Sequence, residues 1–342
     1  MRILLGGETF LKTLILTDDE IRSLLSMKEV MEVVEKAFVE KALGYVQMPP
    51  KPYLFFPEHN GDLRVMPSYL ERLDVAAVKI VNSHPNNPKA YGLPTVLATL
   101  LLIDPRNGSP ISIMGGTHIT AIRTGAAGGV AAKYLARKDS RIVGLVGAGA
   151  QARTQLEALV TLYGELDEVR VCDKIPERRE DFIAEARSRH RERIGRLIPA
   201  LSIKEAVDGA DIVVTTTPSR EPIVSDDWIS EGAHLNCIGA DAPGKQELDP
   251  EILRRAKIVV DDWEQACHGG EINVPLAKGI LKKEDIWGTL GDIIAGLKKG
   301  RTSQNEITVF TSTGLAIHDA VTAKIAYEKA TSRGLGRLIE LV

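Results

Sequence analysis

The pattern of apolar and polar positions changes near residue 140. From residue 141 onward, short apolar runs alternate with stretches of helical spacing. Strands that alternate with helices form parallel sheets covered by helices on both faces. We therefore predict an α/β, doubly wound Rossmann domain over residues 138–311. Its candidate parallel strands are 141–147, 168–172, 212–216, 234–239 and 256–260.

The part of the chain before residue 140 has a different pattern of apolar and polar residues. Apolar residues at helical spacing predict a helix over 27–43, and small residues predict another over 121–136. A final helix over 312–329 is expected to return to this part of the molecule. The runs between the first two helices predict a mainly antiparallel sheet with strands at 52–56, 63–68, 75–82, 95–103 and 110–114.

These patterns predict two domains in the chain of 342 residues. The first is a mixed α+β substrate-binding and dimerisation domain that is formed from both ends, 14–137 with 312–342. The second domain, 138–311, is an insertion between the two parts of the first. We expect residues 1–13 to be a loosely held leader.

Composition narrows the class of protein. A hydrophobic content of 44% and a net charge of -3 are typical of a soluble globular protein, and no basic excess suggests nucleic acid as a partner. The longest apolar run, 96–103, is too short to cross a membrane, and the first residues lack the apolar length of a signal peptide. Three cysteines without Cys-x-x-Cys spacing indicate reduced thiols in a cytoplasmic protein.

A glycine-rich turn follows the first strand of the second domain. Gly147 permits a tight strand-to-helix turn, Gly149 lets backbone N–H groups approach a pyrophosphate, and Ala152 is small enough for helix–strand packing. The next strand ends in Asp173, where a dinucleotide presents its adenosine ribose. A carboxylate there bonds the 2′-hydroxyl and repels a 2′-phosphate, so the pattern predicts NAD as the cofactor.

Several cations accompany the predicted antiparallel sheet. Lys79 lies within a nearly continuous apolar strand, where an ammonium is costly to bury without a partner. Three further cations lie in or beside the predicted strands and the helix that follows them: Lys51, Arg64 and Arg123. Together they could bind a small carboxylate. The alternatives stay open: Lys79 could reach solvent from a strand end, and the other three could be surface charges.

A second candidate constellation is the Gly/Pro-rich loop after the strand 234–239. Asp241 in this loop could face a nicotinamide, because ligands of doubly wound sheets bind beyond the carboxyl ends of the strands. Its alternative role is that of a turn residue. The threonines that follow the strand 212–216 are candidates for lining the cofactor. We expect no metal site, since the candidate donors Asp261, Asp262, His268 and Glu271 have no second histidine nearby.

At this point the chain resembles the ornithine cyclodeaminase/μ-crystallin family over nearly its whole length, from about Leu14. The resemblance is nearest to the archaeal NAD-dependent alanine dehydrogenase branch. The matching segments are 47–51, 61–67, 78–88, 92–95, 122–127, 147–151, 238–247 and 311–316.

The resemblance implies a homodimer in which each subunit holds one NAD between its domains. Lys79 and Asp241 match the catalytic lysine and aspartate of the family, and Lys51, Arg64 and Arg123 match substrate-holding positions. Matches to cofactor contacts are Thr95, Arg123, Ala150, Gln151, Asp173, Thr217, Ile238, Gly239, Ala240, Asp241, Lys245 and Ser312.

One departure bears on the substrate. The cyclodeaminases of the family have an acidic residue at the position of Arg64 and an arginine at that of Lys51. Because Arg64 would repel the second amine of ornithine, we expect a small 2-oxo, amino or imino acid as substrate. The hypothesis is NAD-dependent interconversion of L-alanine with pyruvate and ammonia. The alternatives are reduction of Δ1-pyrroline-2-carboxylate, ornithine cyclodeamination, and a non-catalytic, crystallin-type binding protein.

Overall fold

Two compact units make up the chain. A computed structural model describes the backbone of residues 2–5 and 8–341 and the side chains of residues 12–341. The first unit comprises Met1–Arg123 and Leu315–Val342, and the second comprises Thr124–Gly314. Helix α4 (Thr117–Leu135) contains the border between them.

A mixed sheet forms the centre of the first unit. Its strand order is β1-β2-β8-β7-β6-β5-β3, with β17 beside β2 and β4 beside β5. Among the described residues every pairing is antiparallel except that of β2 with β8. The mainly antiparallel sheet predicted from the sequence is therefore confirmed. The strands are β1 (Arg2–Leu5), β2 (Glu8–Leu16), β3 (Val46–Gln47), β4 (Tyr53–Phe56), β5 (Gly61–Leu70), β6 (Val75–Ser83), β7 (Val96–Ile103), β8 (Pro110–Gly115) and β17 (Arg337–Glu340).

Four further helices belong to the first unit. They are α1 (Asp18–Leu24), α2 (Met27–Ala42), α3 (Asn87–Tyr91) and α12 (Ala316–Arg333). Thr17 caps α1 and Ser26 caps α2, each accepting a backbone N–H from the third helical residue. The apolar face of α12 packs against β5, β6 and α2. This face covers the site described below.

Strand pairing is described for most of the residues expected to form the leader. Residues 1, 6 and 7 of the predicted leader lie outside the described residues. The rest of it forms β1 and part of β2. Leu14 pairs with Ser112 on one side and with Leu338 on the other. The buried Thr13 hydroxyl donates to the carbonyl of Pro110 at 2.8 Å, so residues 12–16 are fixed by two neighbouring strands.

The second unit is a doubly wound parallel sheet, as predicted. Its strand order is β11-β10-β9-β12-β13-β16-β14-β15, and all the described pairings are parallel. Five strands match the predicted ones; β11, β15 and β16 were not predicted. The strands are β9 (Ile142–Val146), β10 (Leu166–Cys172), β11 (Ile194–Pro199), β12 (Ile212–Thr215), β13 (His234–Cys237), β14 (Lys257–Val260), β15 (Ile286–Thr289) and β16 (Thr308–Thr311).

Helices connect these strands. They are α5 (Ala150–Tyr163), α6 (Pro176–His190), α7 (Ile203–Val207), α8 (Pro250–Arg255), α9 (Trp263–Gly269), α10 (Asn273–Ala277) and α11 (Leu290–Ile294). The adjacent strands β9, β12 and β13 end at Val146, Thr215 and Cys237. Because parallel strands end at the same edge of a sheet, the segments that follow these strands lie together. None of the helices in the described part of the chain is long and apolar enough to cross a membrane.

Candidate functional site

The glycine-rich turn of the second unit has the geometry of a phosphate-binding turn. Gly147 has a φ of +96°, a conformation that favours glycine, and a Cβ on Gly149 would meet no atom within 4 Å. Gly149 caps α5 without a side-chain hydrogen bond. Ala152 is buried in the core between α5 and the sheet. The turn thus offers open space and helix N–H groups to an anion.

Asp173 lies against this turn. One carboxylate oxygen accepts the backbone N–H of Ala148 at 2.9 Å, and the other accepts that of Ile175 at 2.8 Å. Its carboxylate is therefore fixed beside the turn, at the position where a dinucleotide presents a ribose. Ala150 and Gln151, on the first turn of α5, are exposed and half-buried. These residues fit an adenine dinucleotide with an unmodified ribose.

A buried glutamate holds the next two strand ends together. Glu247 accepts the backbone N–H and the hydroxyl of Thr217 at 2.6 and 2.8 Å, and the backbone N–H of Gly239 at 3.0 Å. A Cβ on Gly239 would lie 2.1 Å from the carbonyl oxygen of Thr217, so only glycine allows this approach. Sequence reasoning gave Glu247 no role.

The loop after β13 carries the candidate acid Asp241. Its Oδ1 atom lies 2.6 Å from the Nζ atom of Lys245, four residues later. The Asp241 side chain is about one-third exposed. Ile238 and Ala240 are buried. The structure therefore brings two of the predicted residues, Asp241 and Lys245, together as an ion pair that solvent can reach.

Ser312 lies in the irregular segment between the last strand of the second unit and the last helix, and not at the start of that helix. Helix α12 begins at Ala316, because Thr308–Thr311 forms strand β16 and the next residues are held by Asp261. The carboxylate of Asp261 accepts the N–H groups of Thr313 and Gly314 at 2.6 and 2.9 Å. The Ser312 N–H donates to the carbonyl of Cys237, which fixes Ser312 beside the end of β13.

The first unit buries the candidate catalytic lysine. Lys79 lies in β6 with 1% of its surface exposed, and its Nζ atom is 2.8 Å from Oδ2 of Asp319 in α12. It is not a lysine that reaches solvent. Burial lowers the pKa of Lys79 most, Arg123 and Lys51 lower it further, and Asp319 opposes them. The net effect brings the pKa from 10.5 to about 7, so both protonation states are accessible near neutral pH.

Arg123 joins the same buried cluster. Its Nε atom donates to Oδ1 of Asp319 at 3.0 Å. The Nη1 atom of Arg123 is buried and has no hydrogen-bond partner among the described residues. A buried donor without a partner is rare in proteins, so this atom marks a place for an anion.

Arg64 lies on the same face of the sheet as Lys79. The register pairs Met66 with Lys79 and Arg64 with Val81, so both charged side chains leave the pleat on one side. The guanidinium of Arg64 forms two hydrogen bonds with Asp62, at 2.9 and 3.1 Å, and covers the ring of Tyr53. The orientation of this guanidinium is therefore set by Asp62 and Tyr53.

Lys51 and Thr95 complete the predicted set in the first unit. Lys51 is half-buried and close enough to Lys79 to influence its pKa. Thr95 precedes β7, and its carbonyl accepts the N–H of His84 at 2.8 Å. Lys51, Lys79 and Arg123 therefore share one electrostatic environment, and they are not scattered surface charges.

Sequence reasoning missed Asp319, the anion of this cluster. Burial by itself raises the pKa of Asp319, but Arg123 and Lys79 outweigh it and the net effect lowers the pKa. The adjacent His318 is buried against Phe38, and burial followed by the charge of Arg123 lowers its pKa to about 3, so it is neutral. The available indication was one acid within the apolar run Ala316, Ile317, Ala320 and Val321.

A metal centre has no support in the described part of the chain. No group of three or more His, Cys, Asp or Glu side chains there is arranged to hold a metal ion. Glu271, considered above as a donor, instead accepts the backbone N–H groups of Glu247 and Leu248.

The chain is similar over nearly its whole length to proteins named as dehydrogenases and reductases of amino or imino acids. The chain is 51% identical over 330 residues to an alanine dehydrogenase of Archaeoglobus fulgidus, covering 96% of this chain and 99% of that one. An archaeal alanine dehydrogenase dimer solved with bound NAD has a TM-score of 0.90 and 51% identity, covering 97% and 100% of the two chains. A Thermococcus litoralis Δ1-pyrroline-2-carboxylate reductase, solved with NADH and L-proline, has a TM-score of 0.91 and 44% identity, covering 96% and 100%.

A family model covers almost the entire chain. The ornithine cyclodeaminase/mu-crystallin family model matches residues 11–334. The resemblance inferred from the sequence motifs, including the one to archaeal alanine dehydrogenases, is confirmed. The chain therefore belongs to the ornithine cyclodeaminase/mu-crystallin family.

Proposed function

We propose that the protein is an NAD-dependent oxidoreductase that interconverts L-alanine with pyruvate and ammonia. The observation that carries this proposal is the buried group of Lys79, Arg123 and Asp319 on the sheet face that also carries Arg64. It combines a lysine able to exchange a proton near neutral pH with guanidinium donors suited to a carboxylate. The 51% identity to an alanine dehydrogenase supports alanine as the substrate.

Nucleotide binding belongs to the second unit in this proposal. Gly147, Gly149, Ala150 and Gln151 would receive the pyrophosphate, and Asp173 the adenosine ribose. Thr217, Gly239 and Ser312 lie at the ends of adjacent strands, where the other half of the dinucleotide would extend. NAD, when bound, supplies the hydride exchange with the substrate carbon.

The cations of the first unit would bind the substrate carboxylate. The unpartnered Nη1 atom of Arg123 provides a buried donor, and Lys51 and Arg64 add positive charge. Holding the carboxylate fixes the neighbouring carbonyl or imine carbon in one orientation. The guanidinium of Arg64 would repel the second amine of ornithine, and its pairing with Asp62 at 2.9 and 3.1 Å reduces that repulsion without removing it. This weighs against ornithine cyclodeamination.

Lys79 would move the proton. With a pKa of about 7, its Nζ atom can donate a proton to the substrate oxygen as water leaves the amino-alcohol formed from pyruvate and ammonia. Asp319 holds that ammonium in place, and its carboxylate raises the pKa of Lys79 and so favours the protonated state. Asp241 would orient ammonia or water and accept the proton that ammonia releases.

The proposed reaction is tested by following NADH absorbance with pyruvate, with and without ammonium. Loss of NADH that depends on ammonium is the expected result. Loss with Δ1-pyrroline-2-carboxylate, and none with pyruvate plus ammonium, would replace the proposal with the second candidate, cyclic imine reduction. The 44% identity to a Δ1-pyrroline-2-carboxylate reductase favours that candidate, and the same carboxylate clamp would serve it.

We also propose that the protein is a homodimer. Leu54 of β4 and Ile80 of β6 are 61% and 42% exposed, and the register places both on the sheet face opposite Lys79. Apolar groups of this size exposed together indicate a protein contact. Light scattering after size-exclusion chromatography should give twice the mass of one chain, and Leu54→Asp should shift that mass toward one chain.

A further inference from the structure

Two glutamates are completely buried beneath the strand ends of the second unit. Glu247 and Glu271 each have no exposed surface. The N–H groups of Glu247 and Leu248 donate to Oε1 of Glu271 at 2.8 and 2.7 Å. The Thr311 hydroxyl accepts the N–H of Glu271 at 2.9 Å. Both glutamates are therefore anchored in one network that spans β12, β13 and β16.

The two carboxyl groups have different surroundings. Glu247 receives four donors: the Thr215 hydroxyl at 2.7 Å, the N–H and hydroxyl of Thr217, and the N–H of Gly239. Glu271 receives two, both on Oε1, and its Oε2 atom has no hydrogen-bond partner among the described residues. Hydrogen-bond donors stabilise the charged form of a carboxyl group. A buried carboxyl oxygen without a donor favours the neutral form.

The negative charge of the pair therefore belongs to Glu247. Burial and then the nearby Glu247 raise the pKa of Glu271 well above its usual value. Burial also raises the pKa of Glu247, but its four hydrogen bonds oppose that effect. Two like charges in one buried site cannot both persist, so Glu271 is the protonated partner.

We propose that Glu247 is a positioning residue for the cofactor: its carboxylate fixes the segments at Thr217 and Gly239 before the nucleotide arrives. This inference rests on the proposed nucleotide binding at these strand ends. Thr217 and Gly239 are held by two oxygens of one side chain, so the distance between their segments is set by the carboxylate. Glu271 in turn holds the backbone of Glu247 and acts as a neutral support.

Two matched substitutions test this role through NADH binding, measured by fluorescence and independent of turnover. Glu247→Gln introduces an NH2 group where only acceptors fit, and should weaken NADH binding about tenfold or more. Glu271→Gln makes the same chemical change in the neighbouring buried glutamate. Because the acid there is already neutral, binding should stay within about threefold.

The saturated rates distinguish positioning from a general loss of structure. For Glu247→Gln, the KM for NADH should rise while kcat at saturating NADH falls less than about threefold. Equal loss of binding in both variants, or NADH binding by Glu247→Gln within about twofold of the wild type, would overturn the proposal. Failure of the wild-type protein to bind NADH would instead refute the proposed function.

Hydrogen exchange of the wild-type protein provides an independent test if Glu247→Gln fails to fold. The amide hydrogens of Thr217 and Gly239 should be protected in the protein without nucleotide, and NADH should change their protection little. Protection that arises only after NADH is added would show that the nucleotide, and not Glu247, organises the two segments.

Discussion

The two units bury charge in opposite ways. In the first unit, Lys79 and Arg123 enclose the carboxylate of Asp319, and opposite charges neutralise one another. In the second unit, Glu247 and Glu271 are like groups, of which one keeps its proton. The first arrangement leaves a lysine able to gain or lose a proton near neutral pH, whereas the second fixes backbone segments. In the proposed function, burial therefore serves proton transfer in one unit and positioning in the other.

The largest expected effect comes from removing the titrating amine. Lys79→Met should lower kcat for alanine oxidation by about 10²–10⁴ because the proton donor and acceptor is lost. NADH binding should stay within about threefold, since Lys79 is not among the residues proposed to contact the nucleotide. Lys324→Met, which removes a surface lysine paired with Glu328, is the control and should keep the wild-type rate. A Lys79→Met rate within about threefold of the wild type would contradict the role of Lys79.

Asp241→Asn should have the next largest effect. Replacing the carboxylate by an amide removes a proton acceptor and the ion pair with Lys245, and kcat should fall by about 10² or more. Asp181→Asn, at an exposed position of α6, provides the matched control. If alanine oxidation by Asp241→Asn survives within about threefold, the acid/base role is wrong.

Asp319→Asn should change stability and the pH profile together. Leaving Lys79 and Arg123 buried without their anion should lower the free energy of unfolding by about 3–5 kcal/mol. Because Asp319 raises the pKa of Lys79, its loss should move the alkaline limb of kcat/KM for pyruvate amination, where Lys79 loses the proton it donates, to lower pH. Glu328→Gln on the same helix should leave the limb in place. If the limb does not move in Asp319→Asn, the group that titrates in the pH profile is not Lys79.

The smallest effect sharpens the contrast between the units. Asp319 has a lowered pKa, so its stabilisation is present above the unfolded pKa and is lost as the pH falls. Glu271 has a raised pKa, so its contribution is present below the unfolded pKa and is lost as the pH rises. Chemical denaturation from pH 5 to 9 should therefore show Glu271→Gln gaining stability relative to the wild type as the pH rises. A constant difference would mean that Glu271 does not titrate as described.

Most of the second unit was predictable because its strands carry a strong local pattern. The buried strands β9 and β12 are nearly continuous apolar runs, and glycine marks the turn after β9. Strand β16 was missed because its four residues, Thr308–Thr311, merge with the polar turn that follows. Strand β11 was missed because glycine and arginine interrupt its apolar pattern.

The candidate site was only half predictable for a physical reason. Lys79 could be recognised because a charge in an apolar strand is costly, and the cost implies a partner. The identity of that partner depends on how α12 crosses β6, which no local pattern specifies. Asp319 lies far along the chain from Lys79 and was therefore missed. Glu271 was considered only as a metal donor, because its proximity to Glu247 depends on the packing of β13 beside β16.

The composition of the first unit from both ends of the chain has a consequence for synthesis on the ribosome. Lys79 emerges early, but Asp319 is carried by α12, which follows the whole of Thr124–Gly314. Domains generally fold as they emerge, N-terminal parts first. Here the second unit is complete before the lysine meets its counterion. A nascent chain that stops before α12 would hold a folded second unit and a Lys79 without its counterion.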